Sequence, residues 1–111
     1  MAVNNKRLIE GSLLTASAVS YYAAPASTTT VIKKLTLTNT TATAYVATVY
    51  LVPSAGAAGA ASQIWTGSVA AGSTVEIYGA ENHVLMPGDF IAALCPTTAS
   101  VNIMASGAEI Q

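Results

Sequence analysis

Charge is what this chain has least of. Only 8% of its 111 residues are Asp, Glu, Lys or Arg, against about 25% in an ordinary soluble domain. The formal net charge is −1, whereas a charge of about 2–8 keeps small free domains apart in solution. Thr, Ser and Ala stand where charges would be. Such a surface is either covered by neighbours in an oligomer or works outside the cell, where neutral hydroxyls are tolerated. Neither case fits nucleic-acid binding, which requires a basic face.

Cysteine is nearly absent too. The single Cys95 cannot close a bridge within the chain, so stability has to come from burial and backbone hydrogen bonds. No run of 18 or more apolar residues occurs, so the sequence offers no membrane-spanning helix. Met1–Arg7 is polar and has no basic stretch leading into an apolar core and a small-residue cleavage site. The expectation is a protein made and kept in a cytoplasm until it is assembled, with no membrane partner. At this length the chain holds one domain with one core.

Reactive side chains are sparse. Catalysis needs a positioned base or nucleophile. The one histidine, His83, follows Asn82 in an expected turn and reads as solvent-exposed. A serine-histidine-acid set could be drawn from His83, Asp89 and a serine, but no nucleophile-elbow sequence supports it. Asp89 follows Pro87-Gly88 and reads as a carboxylate bonded to turn N–H groups. Glu76 and Glu81 show no paired-acid spacing. One His, one Cys and scattered acids make no metal-ligand cluster, and Cys95 reads as a small buried hydrophobe. Gly56 and Gly59 lack the Lys and Ser/Thr of a phosphate loop. The expectation is therefore no enzyme, no cofactor and no metal. Lys6-Arg7 and Lys33-Lys34 are too few for a nucleic-acid patch; they read as solvated or as contacts to an acidic partner. Trp65 and one or two of the tyrosines read as core or interface, with sugar stacking as the lesser alternative.

What is abundant is strand signal. Thr29–Thr38 is β-branched and alternating, with Val31, Leu35 and Leu37 on one face and Lys33 breaking it near a sheet end. Asn39–Thr43 reads as a turn into Tyr45–Val52, so the spacing predicts an antiparallel hairpin. Pro53–Ser62 reads as an Ala/Gly loop. Gln63–Val69, Thr74–Tyr78, Phe90–Cys95 and Ser100–Ser106 read as strands, Phe90–Cys95 as a central one. Met86-Pro87-Gly88-Asp89 and Pro96–Ala99 read as turns. Gly107 is expected to set off a last short segment. Near the N-terminus, Lys6–Thr15 and Val19–Tyr22 supply two more candidates. About eight antiparallel strands with regular turns predict a single all-β sandwich, of jelly-roll or related Greek-key order.

The run Thr-Thr-Val-Ile-Lys-Lys-Leu-Thr-Leu-Thr-Asn-Thr into Tyr-Val-Ala-Thr-Val-Tyr-Leu-Val-Pro-Ser is the first part of a resemblance. Gly72–Glu76 and Val84–Ile91 complete it. Together they resemble the small β-sandwich virion proteins of tailed bacteriophages, over roughly residues 24–110. That resemblance implies a capsid decoration (cement) protein, a homotrimer that binds the major capsid protein and stabilises the head. It implies assembly in the host cytoplasm and residence on the virion. The alternative is a tail or fibre component with a receptor- or glycan-binding role. The domain expectation is an N-terminal arm over residues 1–10 and a sandwich over residues 11–111. Asn4, Asn5, Lys6 and Arg7 in that arm are the expected partner contacts.

Overall fold

Alternation of β-branched and small residues, cut by Gly, Pro and Asn turns, favours strands. In the computed structural model, which describes residues 2–98 and 100–111, nine strands form. They are β1 (Val3–Leu13), β2 (Val19–Ala23), β3 (Thr29–Asn39), β4 (Tyr45–Val52), β5 (Gln63–Val69), β6 (Thr74–Glu76), β7 (Val84–Leu85), β8 (Phe90–Leu94) and β9 (Val101–Ile110). Met1 of the expected arm and Ala99 of the expected turn lie outside the described residues.

Two antiparallel sheets pack as a sandwich. The first runs β1-β9-β3, with β6 and β7 both pairing along the far edge of β3; the second runs β2-β8-β4-β5. A single 3-10 turn, Tyr78–Ala80, separates β6 from β7, so these two act as one broken edge strand. Apart from the β4–β5 hairpin and the broken edge strand β6/β7, successive strands pass from one sheet to the other, which is the jelly-roll order. The expected sandwich stands, and its topology is the jelly roll. The central place expected for Phe90–Cys95 also stands, since β8 lies between β2 and β4.

The core fills the space between the sheets. Ile32, Leu35, Leu37, Val49, Ile91 and Ile103 have no exposed surface. Each such side chain contributes about 1.5–3 kcal/mol through burial. Cys95 is among them, as expected of a small hydrophobe.

Four expectations are corrected. Residues 3–10 of the expected arm belong to β1, paired with β9 from Val3↔Ile110 to Leu13↔Asn102. Leu8 and Ile9 are buried in the core, so sandwich and arm are continuous there. The hairpin expected of Thr29–Thr38 with Tyr45–Val52 does not form, because β3 and β4 lie in different sheets. Asn39 turns the chain between them: its Nδ2 donates to Thr43 O at 2.7 Å and to Val69 O at 2.9 Å. Its Oδ1 accepts from the Thr41 N–H at 2.9 Å, so the buried amide is fully used on the crossover. Gly107 does not end a strand; β9 runs through it to Ile110.

The fourth correction concerns phase. β3 pairs Ile32↔Gly107 and then Lys34↔Ser106, which leaves Lys33 as an extra residue, a bulge. The bulge moves Ile32, rather than Val31, onto the buried face with Leu35 and Leu37. Lys33 sits at this mid-strand bulge rather than near a sheet end. β1 carries a matching bulge, pairing Arg7↔Ser106 and then Ile9↔Ala105, so that Leu8 and Ile9 both face inward. Both bulges flank β9 beside Gly107. A side chain there would run into the Val31 carbonyl and come within 3.0 Å of Leu8 Cδ1. Glycine is what lets the three strands close at this point.

Candidate docking face

In β9, Val101, Ile103 and Ala105 face inward, so Ser106 faces out. Ser106 is in register with Arg7 on one side and with Lys34 on the other. The three exposed side chains form a row across β1, β9 and β3. The bulge in β3 adds Lys33 beside this row, and Lys6 precedes Arg7 in register with Gly107. A groove of about 580 Å³ is lined by Asn5, Lys6, Arg7, Lys33, Ser106 and Gly107. An adjoining depression of about 290 Å³ is lined by Arg7, Lys34, Thr36, Met104 and Ser106 among others. All four cations of the chain thus lie on the neighbouring strands β1 and β3 that flank β9.

Two of the four have partners within the chain. Lys6 Nζ lies 3.6 Å from Glu109 Oε2, and Lys34 Nζ lies 3.8 Å from Glu76 Oε2. Arg7 and Lys33 make no ion pair among the described residues. Of the expected contacts, Asn5, Lys6 and Arg7 come together in the groove, while Asn4 pairs with Glu109 along β1 and does not line it. Ser106 was not read from the sequence as a member of the site, and Lys33-Lys34 was read only as solvated or as contacts to an acidic partner. The two cationic doublets were visible in the sequence, but their meeting depends on strand register.

The second sheet is the opposite case. None of β2, β4, β5 and β8 contains an Asp, Glu, Lys or Arg. Its outer side shows hydroxyls and apolar groups: Val46 is exposed, and Thr48 and Thr66 pair through their hydroxyls at 3.1 Å. Lys6, Arg7, Glu10, Lys33, Lys34, Glu76 and Glu109 all lie on strands of the first sheet. Glu81 and Asp89 lie in connections.

Where the sandwich closes at one end, a polar cluster joins the sheets. Tyr22 on β2 donates to Glu109 Oε2 on β9 at 2.5 Å, and its oxygen lies 2.8 Å from Thr30 Oγ1 on β3. Burial first, then the hydrogen bond and charge of Glu109, push the Tyr22 phenol up to about 12; the Thr30 hydroxyl pulls the other way. Glu109 is nearly buried and is held by this bond and by Lys6.

Asp89 is a loop tie. Its Oδ2 accepts from the Met86 N–H and its Oδ1 from the Ser54 N–H, both at 2.9 Å. The turn role read from the sequence is present, and the reach to the β4–β5 connection is added. Gly88 takes φ +90°, the positive value this turn needs. His83 is exposed and lines a cleft of about 300 Å³ with Asp89, Ser62 and Gln63. Tyr21, Tyr22, Tyr45 and Trp65 pack against the core, and Tyr78 stands out in solvent.

No protein-family model and no curated protein matches the chain. Among solved structures, the fold is similar to that of Bacillus endospore appendages, described as a novel family of disulfide-linked pili. The TM-score is 0.59 at 19% identity, covering 99% of this chain and 88% of that one. A second match, to infectious bursal disease virus Gt strain, has a TM-score of 0.32 at 13% identity and covers 97% of this chain and 30% of that one.

Proposed function

We propose that this chain is a non-catalytic structural subunit of a virion-type assembly. Its specific role in this reading is a capsid decoration (cement) protein of a tailed bacteriophage. It binds the major capsid protein on the outer shell and stabilises the head. The observation that carries the reading is the division of charge between the two sheets. An uncharged sheet of hydroxyl and apolar groups can meet a copy of itself without like-charge repulsion, which suits a homotrimer. The sheet that carries the four cations can offer Arg7 and Lys33, which have no carboxylate partner among the described residues, to a different, acidic neighbour. The chain would assemble in the host cytoplasm and remain on the virion. Co-sedimentation with empty capsids, together with native mass in solution, tests this. Saturable binding by a species of three chains is expected. A monomer that never pellets with capsids would overturn it.

The likeness to endospore pili favours a second reading, a fibre or tail subunit. Here Cys95 bears on the form of the fibre. It has no exposed surface, and its N–H donates to Thr15 O at 2.9 Å. A fibre of this chain would accordingly be held without disulfides between copies. Electron microscopy of the purified protein separates the readings: filaments support the second, discrete particles the first.

A further inference from the structure

The groove over Gly107 has the features of a seat for one kind of ligand group. Gly107, which has no side chain, lies in the groove's lining, so backbone is part of its wall. Its walls are the two bulges, and they present Arg7 and Lys33, the two cations without carboxylates among the described residues. Ser106, in register with Arg7, adds a hydroxyl to the same lining. On either side, Lys6 and Lys34 already hold carboxylates of this chain at 3.6 and 3.8 Å.

We propose that this groove docks an acidic segment of a partner protein, with an Asp or Glu carboxylate set between Arg7, Lys33 and Ser106. The partner's being a protein surface rests on the structural role proposed above. Arginine is suited to the task, since its planar guanidinium can grip a carboxylate with two parallel hydrogen bonds. Lysine adds a point charge, and the serine hydroxyl adds a donor. Glu10 and Glu76 lie on strands of the same sheet, and an acidic peptide segment can set its carboxylates on the cations and away from them.

The test uses the full chain, a fluorescent poly-glutamate peptide, inorganic polyphosphate and phosphatidylglycerol vesicles. Binding is read by anisotropy for the peptide and polyphosphate and by co-flotation for the vesicles. Poly-glutamate is expected to bind at low salt and to be released at about 0.5 M salt, where screening cuts surface attraction. The double variant R7Q/K33Q should bind it about tenfold more weakly, mainly through faster release. Both substituted side chains are exposed, so an unchanged thermal melt is the folding control. Equal affinity of variant and parent overturns the proposal. So does binding of polyphosphate or vesicles with none of poly-glutamate. Capsid binding that survives R7Q/K33Q would sink this inference alone. Poly-glutamate binding without any capsid binding or self-assembly would sink the structural reading alone.

Discussion

Tyr22 and Glu109 join the two sheets by one hydrogen bond of 2.5 Å, from a phenol on β2 to a carboxylate on β9. Tyr22 is half-buried and packs against the core, and Glu109 is buried. Thr30 and Lys6 complete the cluster, so four strands meet there.

Tyr22→Phe removes the donor and leaves a nearly buried carboxylate with Lys6 alone. A loss of about 1–3 kcal/mol in unfolding free energy is expected, the range for stranding a buried charged acceptor. Urea denaturation at neutral pH measures it. The same bond has an alkaline signature. The folded pKa of Tyr22, about 12, lies above its ordinary 10.0. Its stabilisation is therefore complete below pH 10 and is lost as pH rises through about 12. Stability followed from pH 9 upward should fall less in Tyr22→Phe, and ultraviolet titration should lose one late-ionising tyrosine.

Gly107→Ala tests the double bulge. The added methyl meets the Val31 carbonyl and Leu8 Cδ1, one of them rigid backbone. Overpacking costs about 1–3 kcal/mol, and occasionally more where backbone must move. A lowered thermal midpoint is expected, with faster amide exchange at Ile32 and Lys34. By contrast Gly72→Ala meets no neighbour within 4 Å and bears only the strain of its φ of +67°. The Gly107 variant should be the weaker of the two.

Asp89→Ala frees two loops at once. It strands the N–H groups of Ser54 and Met86, each bonded at 2.9 Å. Hydrogen bonds to a charged group are worth about 1.5–3 kcal/mol in general, and exposure places this case at the low end. Hydrogen exchange at Ser54 and Met86 should accelerate, while β9 amides keep their protection.

Glu81 is expected to respond to acid in the opposite sense from most carboxylates. The neighbouring Glu76 carboxylate favours the protonated form of Glu81, the only form able to donate a hydrogen bond to it; burial and the Glu76 charge add to this, and Lys34 opposes. Its folded pKa is raised above 4.5, so its contribution is full below that value and lost as pH rises through the folded pKa. Glu81→Gln should raise the melting temperature at neutral pH and flatten the melting profile on acidification. An unchanged profile would show that the two carboxyls do not interact.

Some of this protein was decided within short windows of sequence. Gln63–Val69 is a strand over the bounds read from its residues, and Met86–Asp89 is the turn its Pro-Gly pair requires. The all-β class follows from such local choices, since alternation and turn chemistry act over a few residues. The register did not follow. The doublets Leu8-Ile9 and Lys33-Lys34 mark the two bulges, yet a doublet alone does not say which strand lies opposite. Only when β9 lies between β1 and β3 do Arg7, Ser106 and Lys34 form a row. Only then does Glu109 come within reach of Tyr22 across the sandwich. The scarcity of charge was plain from the sequence; that every charged strand residue falls in one sheet came from long-range pairing, which brings together residues that no local pattern connects.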